Sequence, residues 1–294
     1  RVYRGNSIVG SNPTLSASLF MKILKKLERT ISHKIKRLTE FPLMPIYDFQ
    51  SKKTLTQKIP PNIYQTWEDN LLGKTHYKQL LKFRSINQDL NFYFYDKFKR
   101  DGYMQKFWSD SPILQIYKNS KFGNMKSDIF RFCILYERGG YYFDISKGCS
   151  VPLRTIHSRD TEALITNEPV ESFLPPPKES FEKLINPFNY FLSWGMGFKK
   201  NHPIPEEMIK SIIVNYQFYR NRVFDNPKAA ILNLMSTGQF TKVVRNYLAK
   251  NNDTKIEQSG IYFNGHGIFA MRGSSVRNMI IKHYSEFKNT KIFN

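Results

Sequence analysis

Asp128, Arg131 and Asp144 are the side chains whose types and spacing carry chemistry in this sequence. The first two lie three residues apart, so on a helix they share a face. Asp144 closes the run Gly139-Gly140-Tyr141-Tyr142-Phe143-Asp144, in which two glycines break a helical pattern and aromatic residues begin a strand. Carboxylates accept paired hydrogen bonds from sugar hydroxyls, and a guanidinium offers a planar donor fork to phosphate or sugar oxygens. An open α/β sheet binds its ligands at the carboxyl ends of its strands. A helix, a tight stop and a short strand would therefore bring two acids and a base to one such end, which is a nucleotide-sugar pocket in outline. Taken alone, Asp128 and Arg131 read first as an ordinary i,i+3 surface ion pair worth about 0.3 kcal/mol.

The elements that must position these groups follow from periodicity. Strands are expected at 62–66 and 90–95 with a helix at 76–87 between them, then helices at 96–108, interrupted near Gly102, and 112–119. The helix carrying Asp128 takes Asn124 or Ser127 as its cap and Gly139 as its stop. Short strands follow at 163–166 and 190–198, and helices at 205–220 and 228–249 with a break near Gly238. A late strand or loop at 261–269 carries Gly265-His266-Gly267, and a last helix covers 276–287. Strands alternating with helices predict an α/β class with a mostly parallel sheet flanked by helices, a single domain over 58–294.

The segment Ser127–Ser146 resembles the glycosyltransferases with the Asp-x-Asp sugar-binding motif, of the family-32 type that includes yeast outer-chain mannosyltransferases and bacterial capsule-synthesis proteins. Ser127, Asp128, Arg131, Leu135, Tyr136, Gly139, Gly140, Tyr142 and Asp144 match that pattern in register, and Ser146 stands where its second Asp belongs. Ile59-Pro60-Pro61-Asn62-Ile63-Tyr64-Gln65-Thr66-Trp67 is similar to the family's opening strand. Ser193-Trp194-Gly195-Met196-Gly197-Phe198 with Asn201-His202-Pro203, and Thr237-Gly238-Gln239-Phe240-Thr241, resemble its downstream segments. The likeness spans roughly 58–245.

The resemblance implies a GT-A type, Rossmann-like nucleotide-binding domain and a hexosyltransferase. A GDP- or UDP-hexose would be the donor, a surface glycan or lipid-linked glycan the acceptor, and the anomeric configuration would be retained. It places Asp128, Arg131 and Asp144 at the donor sugar and phosphate, and Gln65, Tyr64 and Trp67 at the nucleotide end of the first strand. Gly139 and Gly140 count as donor-binding through the motif. A divalent cation, Mn²⁺ or Mg²⁺, is implied at Asp144 and Ser146, with His266 able to complete the site. Ser146 cannot supply the anionic ligand that a hard cation wants, and Lys147 offers the alternative charge beside the diphosphate. The plain alternatives are core packing for Tyr64, a solvated cation for Lys147 and a turn residue for His266.

Composition sets the surroundings. The formal charge is +21, with Lys+Arg 45 against Asp+Glu 24, and such a surface attracts nucleic acid, anionic lipid or phosphorylated substrates. Between Met21 and Phe41 seven Lys or Arg face two Glu, while Leu24, Leu27, Ile31, Ile35 and Leu38 recur at helical spacing. Residues 21–57 are thus read as a basic amphipathic helix region, which either lies on an anionic membrane surface or packs its apolar stripe on the domain. Residues 1–20 are expected to be a non-native or disordered leader, since Gly10-Ser11-Asn12-Pro13 is what the T arm of a transfer-RNA gene encodes, and Met21 is the expected start. Two cysteines and no run of about 18 apolar residues point to a cytoplasmic protein, peripheral on the inner face of the membrane if it meets one. Charge alone motivates a nucleic-acid-binding alternative, but no reader module is present and no nucleic-acid partner is expected. Ser146 motivates a second alternative, a catalytically degenerate sugar-binding homologue. Nucleophile elbows, zincin motifs and phosphate loops are absent from the sequence.

Overall fold

The computed structural model describes residues 19–21, 24, 38–53, 55–167, 190–251, 255–260, 268–274 and 284–294. Most of the basic N-terminal segment, His266 with its flanking glycines, and most of 276–287 lie outside the described residues. Six strands form the main sheet: β1 (Asn62–Thr66), β2 (Asn91–Tyr95), β3 (Gly140–Phe143), β4 (Ala163–Asn167), β5 (Phe191–Phe198) and β6 (Ile256–Gly260), in the order β6-β4-β5-β3-β1-β2. β5 runs antiparallel to both its neighbours, and the other five share one direction. The mostly parallel α/β sheet is as expected. The reversal at β5 and the edge strand β6 were not. Ile256-Glu257-Gln258-Ser259-Gly260 has none of the apolar alternation that marks a strand, and among the described residues it pairs only with β4, at the edge of the sheet.

Seven helices flank the sheet among the described residues: α1 (Lys74–Ile86), α2 (Lys97–Phe107), α3 (Pro112–Asn119), α4 (Gly123–Arg138), α5 (Pro203–Tyr219), α6 (Pro227–Met235) and α7 (Thr237–Lys250). Successive strand residues point to opposite faces, so both faces bury side chains. Ile63, Phe92, Tyr141 and Phe143 pack with Leu80 and Phe83 of α1 and with Met271. Tyr64, Tyr95, Tyr142 and Phe198 pack with helices α2 to α7. The cover is thus lopsided, with α1 and short strand pairs on one face and six helices on the other.

Three local expectations change. α2 runs unbroken through Gly102, which is exposed and crowds nothing; its cost of about 1 kcal/mol relative to alanine is outweighed by burial of Arg100, Tyr103 and Met104. α4 starts at Gly123 with Phe122 as N-cap and no side-chain cap, so neither Asn124 nor Ser127 plays that part. The break between α6 and α7, expected near Gly238, falls two residues earlier, at Ser236 (φ −119°, ψ −148°).

α4 does stop at Gly139, which has φ 66°, and Gly140 follows at φ 108°. A Cβ on Gly139 would lie 2.5 Å from the Lys200 amide nitrogen, and one on Gly140 2.5 Å from the Asn62 carbonyl. Left-handed backbone and close packing together demand glycine at this reversal.

Candidate active site

α4 and β3 diverge from the glycine pair, so Asp128 and Arg131 on the helix meet Asp144 just past the carboxyl end of the strand. Arg131 is the hub. Its Nη2 donates to Asp128 Oδ1 at 2.7 Å and to Asp144 Oδ1 at 3.2 Å. Its Nη1 donates to the Ser193 carbonyl at 2.7 Å and Ser193 Oγ at 3.1 Å, and its Nε to the Ser127 carbonyl at 3.4 Å. A guanidinium has five N–H donors, and here all five have protein acceptors. The group also lies 4.7 Å over the Tyr142 ring, whose hydroxyl donates to Asp144 Oδ1 at 3.1 Å.

Burial grades the three groups. Asp128 and Arg131 side chains are each 6% exposed, whereas that of Asp144 is 35% exposed. Burial pushes the Asp128 carboxyl up to about 7, opposed by Arg131, seconded by the charge of Asp144 and eased by a hydrogen bond with Ser236. Burial would discharge Arg131, but Asp128, Tyr142 and Asp144 around it hold it firmly protonated. The Tyr142 phenol is raised by burial and by both carboxylates, which keeps it a hydrogen-bond donor. Asp144 is therefore the member of the cluster presented to a ligand.

Residues 48–163 match the family described as "Glycosyltransferase sugar-binding region containing DXD motif". That stretch, which carries the Asp128, Arg131 and Asp144 cluster, is thus similar to the sugar-binding region of DXD-type glycosyltransferases. Over 249 residues the chain is 24% identical to the initiation-specific alpha-1,6-mannosyltransferase of Candida albicans, covering 80% of this chain and 58% of that protein. Over 154 residues it is 27% identical to inositol phosphoceramide mannosyltransferase 1 of Schizosaccharomyces pombe, covering 47% of this chain and 45% of that one. The chain thus spans little more than half of one curated relative and less than half of the other. The solved structure of the PaToxG glycosyltransferase superposes with a TM-score of 0.47 at 17% identity, covering 76% of this chain and 78% of that one.

Around this cluster the other sequence-predicted residues divide. Lys147 donates its backbone N–H to the Asp144 carbonyl at 2.8 Å, and its ammonium sits 4.3 Å over the Trp194 ring. It belongs to the same edge as Asp144. Trp67 follows β1 directly and is half-buried at that edge, since β1 and β3 are parallel. Tyr64 is buried, stacked on Tyr93 inside the helical core, so packing accounts for it and a nucleobase has no access. Gln65 is also buried, 1% exposed, and among the described residues neither polar atom of its amide has a hydrogen-bond partner. Gly139 and Gly140 lie at the far end of β3 from Asp144, against Pro60, Asn62 and Lys200. The structure does not bring them to the cluster; sequence proximity hides a full strand of separation.

A hard divalent cation wants several oxygen ligands, carboxylates above all. Here Asp128 is committed to Arg131, and the Asp144 carboxylate shares its Oδ1 with that same cation. Ser146 is 7% exposed, with its carbonyl accepting the Met271 N–H at 2.8 Å. Among the described residues no three His, Cys, Asp or Glu side chains are grouped to hold a metal. DXD families generally use a divalent metal, but these residues do not make a protein-held site for one, and His266 lies outside the described residues.

Sequence reasoning missed three contributors. Ser193 stands in a segment singled out by resemblance, yet its task, fixing Arg131, appears only in the fold. The Ser236 hydroxyl reaches Asp128 and lies 3.4 Å from Ser193 Oγ. The Tyr284 phenol, packed against the helical core, is raised chiefly by burial and also by the charges of Asp128 and Asp144, with Arg131 opposing. Nothing local to Ser236 or Tyr284 signals this in the sequence.

Proposed function

We propose that the chain transfers a hexose from a GDP- or UDP-sugar to a glycan or lipid-linked glycan acceptor. The observation that carries this reading is the single hydrogen-bonded cluster of Asp128, Arg131 and Asp144 at the carboxyl end of β3, within the matched sugar-binding region. Mannose is the first sugar to test, because the names of both curated relatives contain it. In this reading Asp144 orients donor hydroxyls, Arg131 holds the two carboxyls in place, and Trp67 offers a stacking face to the base. Lys147 stands where negative charge builds on the departing diphosphate. Retention of anomeric configuration is carried as part of the proposal, with no enzyme nucleophile named.

Ser146 and the fully engaged Arg131 favour a second reading, a sugar-binding homologue without turnover. A thermal-shift panel of nucleotide sugars, with and without Mn²⁺, followed by donor hydrolysis, separates the two, since a ligand bound only by the native state raises the melting temperature. One stabilising sugar nucleotide that is also hydrolysed supports the transferase. Stabilisation without hydrolysis or transfer supports the homologue, and a panel without any response rejects both. Among the described residues no helix is long and apolar enough to cross a membrane. The basic segment from residue 21 to 41 is proposed to contact an anionic surface; liposome co-sedimentation that is unchanged by its removal would reject that role.

A further inference from the structure

A second arginine, outside every motif, is buried beneath the same edge. Arg100 of α2 is 0% exposed, and its contacts reach three other elements. Nε donates to the Tyr117 hydroxyl of α3 at 3.1 Å. Nη1 donates to Thr66 Oγ1, the last residue of β1, at 3.1 Å and to Ser127 Oγ of α4 at 3.4 Å. Nη2 pairs with Glu68 Oε1 at 2.9 Å. Glu68 directly follows Trp67, and its carboxylate is seated on the first turn of α4, where a Cβ on Gly123 would come within 2.6 Å of Oε1. Ser127 joins the two networks, because its carbonyl accepts from Arg131 Nε.

We propose that Arg100 and Glu68 are positioning residues for the donor site: together they clamp the end of β1, which carries Trp67, to the start of α4, which carries Asp128 and Arg131. The inference rests on the donor reading above and extends it to residues that touch no substrate. A nucleotide sugar must meet a base platform on one element and a sugar-binding pair on another. Small errors in their separation weaken binding of the whole donor, while the chemistry at its anomeric carbon is untouched.

The test measures donor KM and kcat for the full chain and for Glu68→Gln, Arg100→Lys and Arg100→Met, with melting temperatures and amide hydrogen exchange over 66–68 and 122–126. Glu68→Gln is expected to raise donor KM about tenfold with kcat changed less than about threefold, and Arg100→Lys to raise it further. Exchange should accelerate in both segments together. Variants that melt lower yet keep the wild-type donor KM would overturn the clamp and leave a merely stabilising pair. If the Arg100 variants do not fold, Glu68→Gln decides by itself, since its amide keeps the shape of a partly exposed side chain. A wild-type chain that binds no nucleotide sugar overturns the functional reading and the clamp with it; wild-type donor binding with unchanged KM in the variants overturns the clamp alone.

Discussion

Two buried arginines, Arg131 on α4 and Arg100 packed against its first turns, do different work. Arg131 gathers two carboxyls, one sealed and one 35% exposed, so its cluster ends at an open surface. Arg100 gathers two hydroxyl-bearing neighbours, a tyrosine and Glu68, and its cluster is bounded by strand and helix ends. Similar saturation thus serves ligand contact in one place and alignment in the other. What separates them is where the partly exposed partner is held: Asp144 lies past the carboxyl end of β3, whereas Glu68 is seated on the first turn of α4.

The sharpest way to break that contrast is Arg131→Met. It leaves two facing carboxyls without their cation, and loss of one partner in a buried ion pair costs about 3–5 kcal/mol; urea unfolding should show the loss, with donor binding abolished. An unfolding midpoint equal to wild type would show that Arg131 is not the hub. Asp144→Asn keeps shape and should leave the fold intact while lowering transfer about 100-fold or more. Asp101→Asn in the Arg100 network, where Asp101 accepts from the Tyr117 hydroxyl at 2.5 Å, should lower transfer by about threefold at most. Equal losses in these two variants would erase the distinction.

Lys147→Ala should reduce transfer about tenfold, with wild-type activity surviving thorough EDTA treatment. Loss in EDTA restored by Mn²⁺ would show that a cation, not Lys147, meets the diphosphate. Titration sharpens the comparison more gently. Folded Asp128 keeps its proton to about 7 against an ordinary 3.8, so between those values the unfolded chain binds fewer protons and stability falls as pH rises. The contribution is complete below 3.8 and gone above about 7; melting temperatures across this window should slope downward in the wild type and flatten in Asp128→Asn. The smallest effect is expected for Ser193→Ala, about 1 kcal/mol in urea unfolding, because Arg131 Nη1 keeps the Ser193 carbonyl.

Much of the site was legible because its chemistry is local. Asp128 and Arg131 are neighbours by helical spacing, and the glycine pair announces the reversal that returns the chain to Asp144. The same nearness misled where direction matters: Gly139 and Gly140 belong to the opposite end of the strand, and the aromatic Tyr64 is buried because both faces of β1 are covered. Arg100 was invisible among 45 Lys and Arg, since nothing in its neighbours tells that α2 will bury it.

The amino-acid sequence by itself determined the α/β class, the helix–glycine–strand unit and the identity of the two acids and one base, because these rest on short-range periodicity and backbone conformation. Only the tertiary structure decided that β5 runs against its neighbours, that Ser193 and Ser236 close on the cluster from distant segments, and that Arg131 has no donor to spare. Those facts depend on which surfaces meet and which polar groups lose water when they do, and that is settled only once the layers pack.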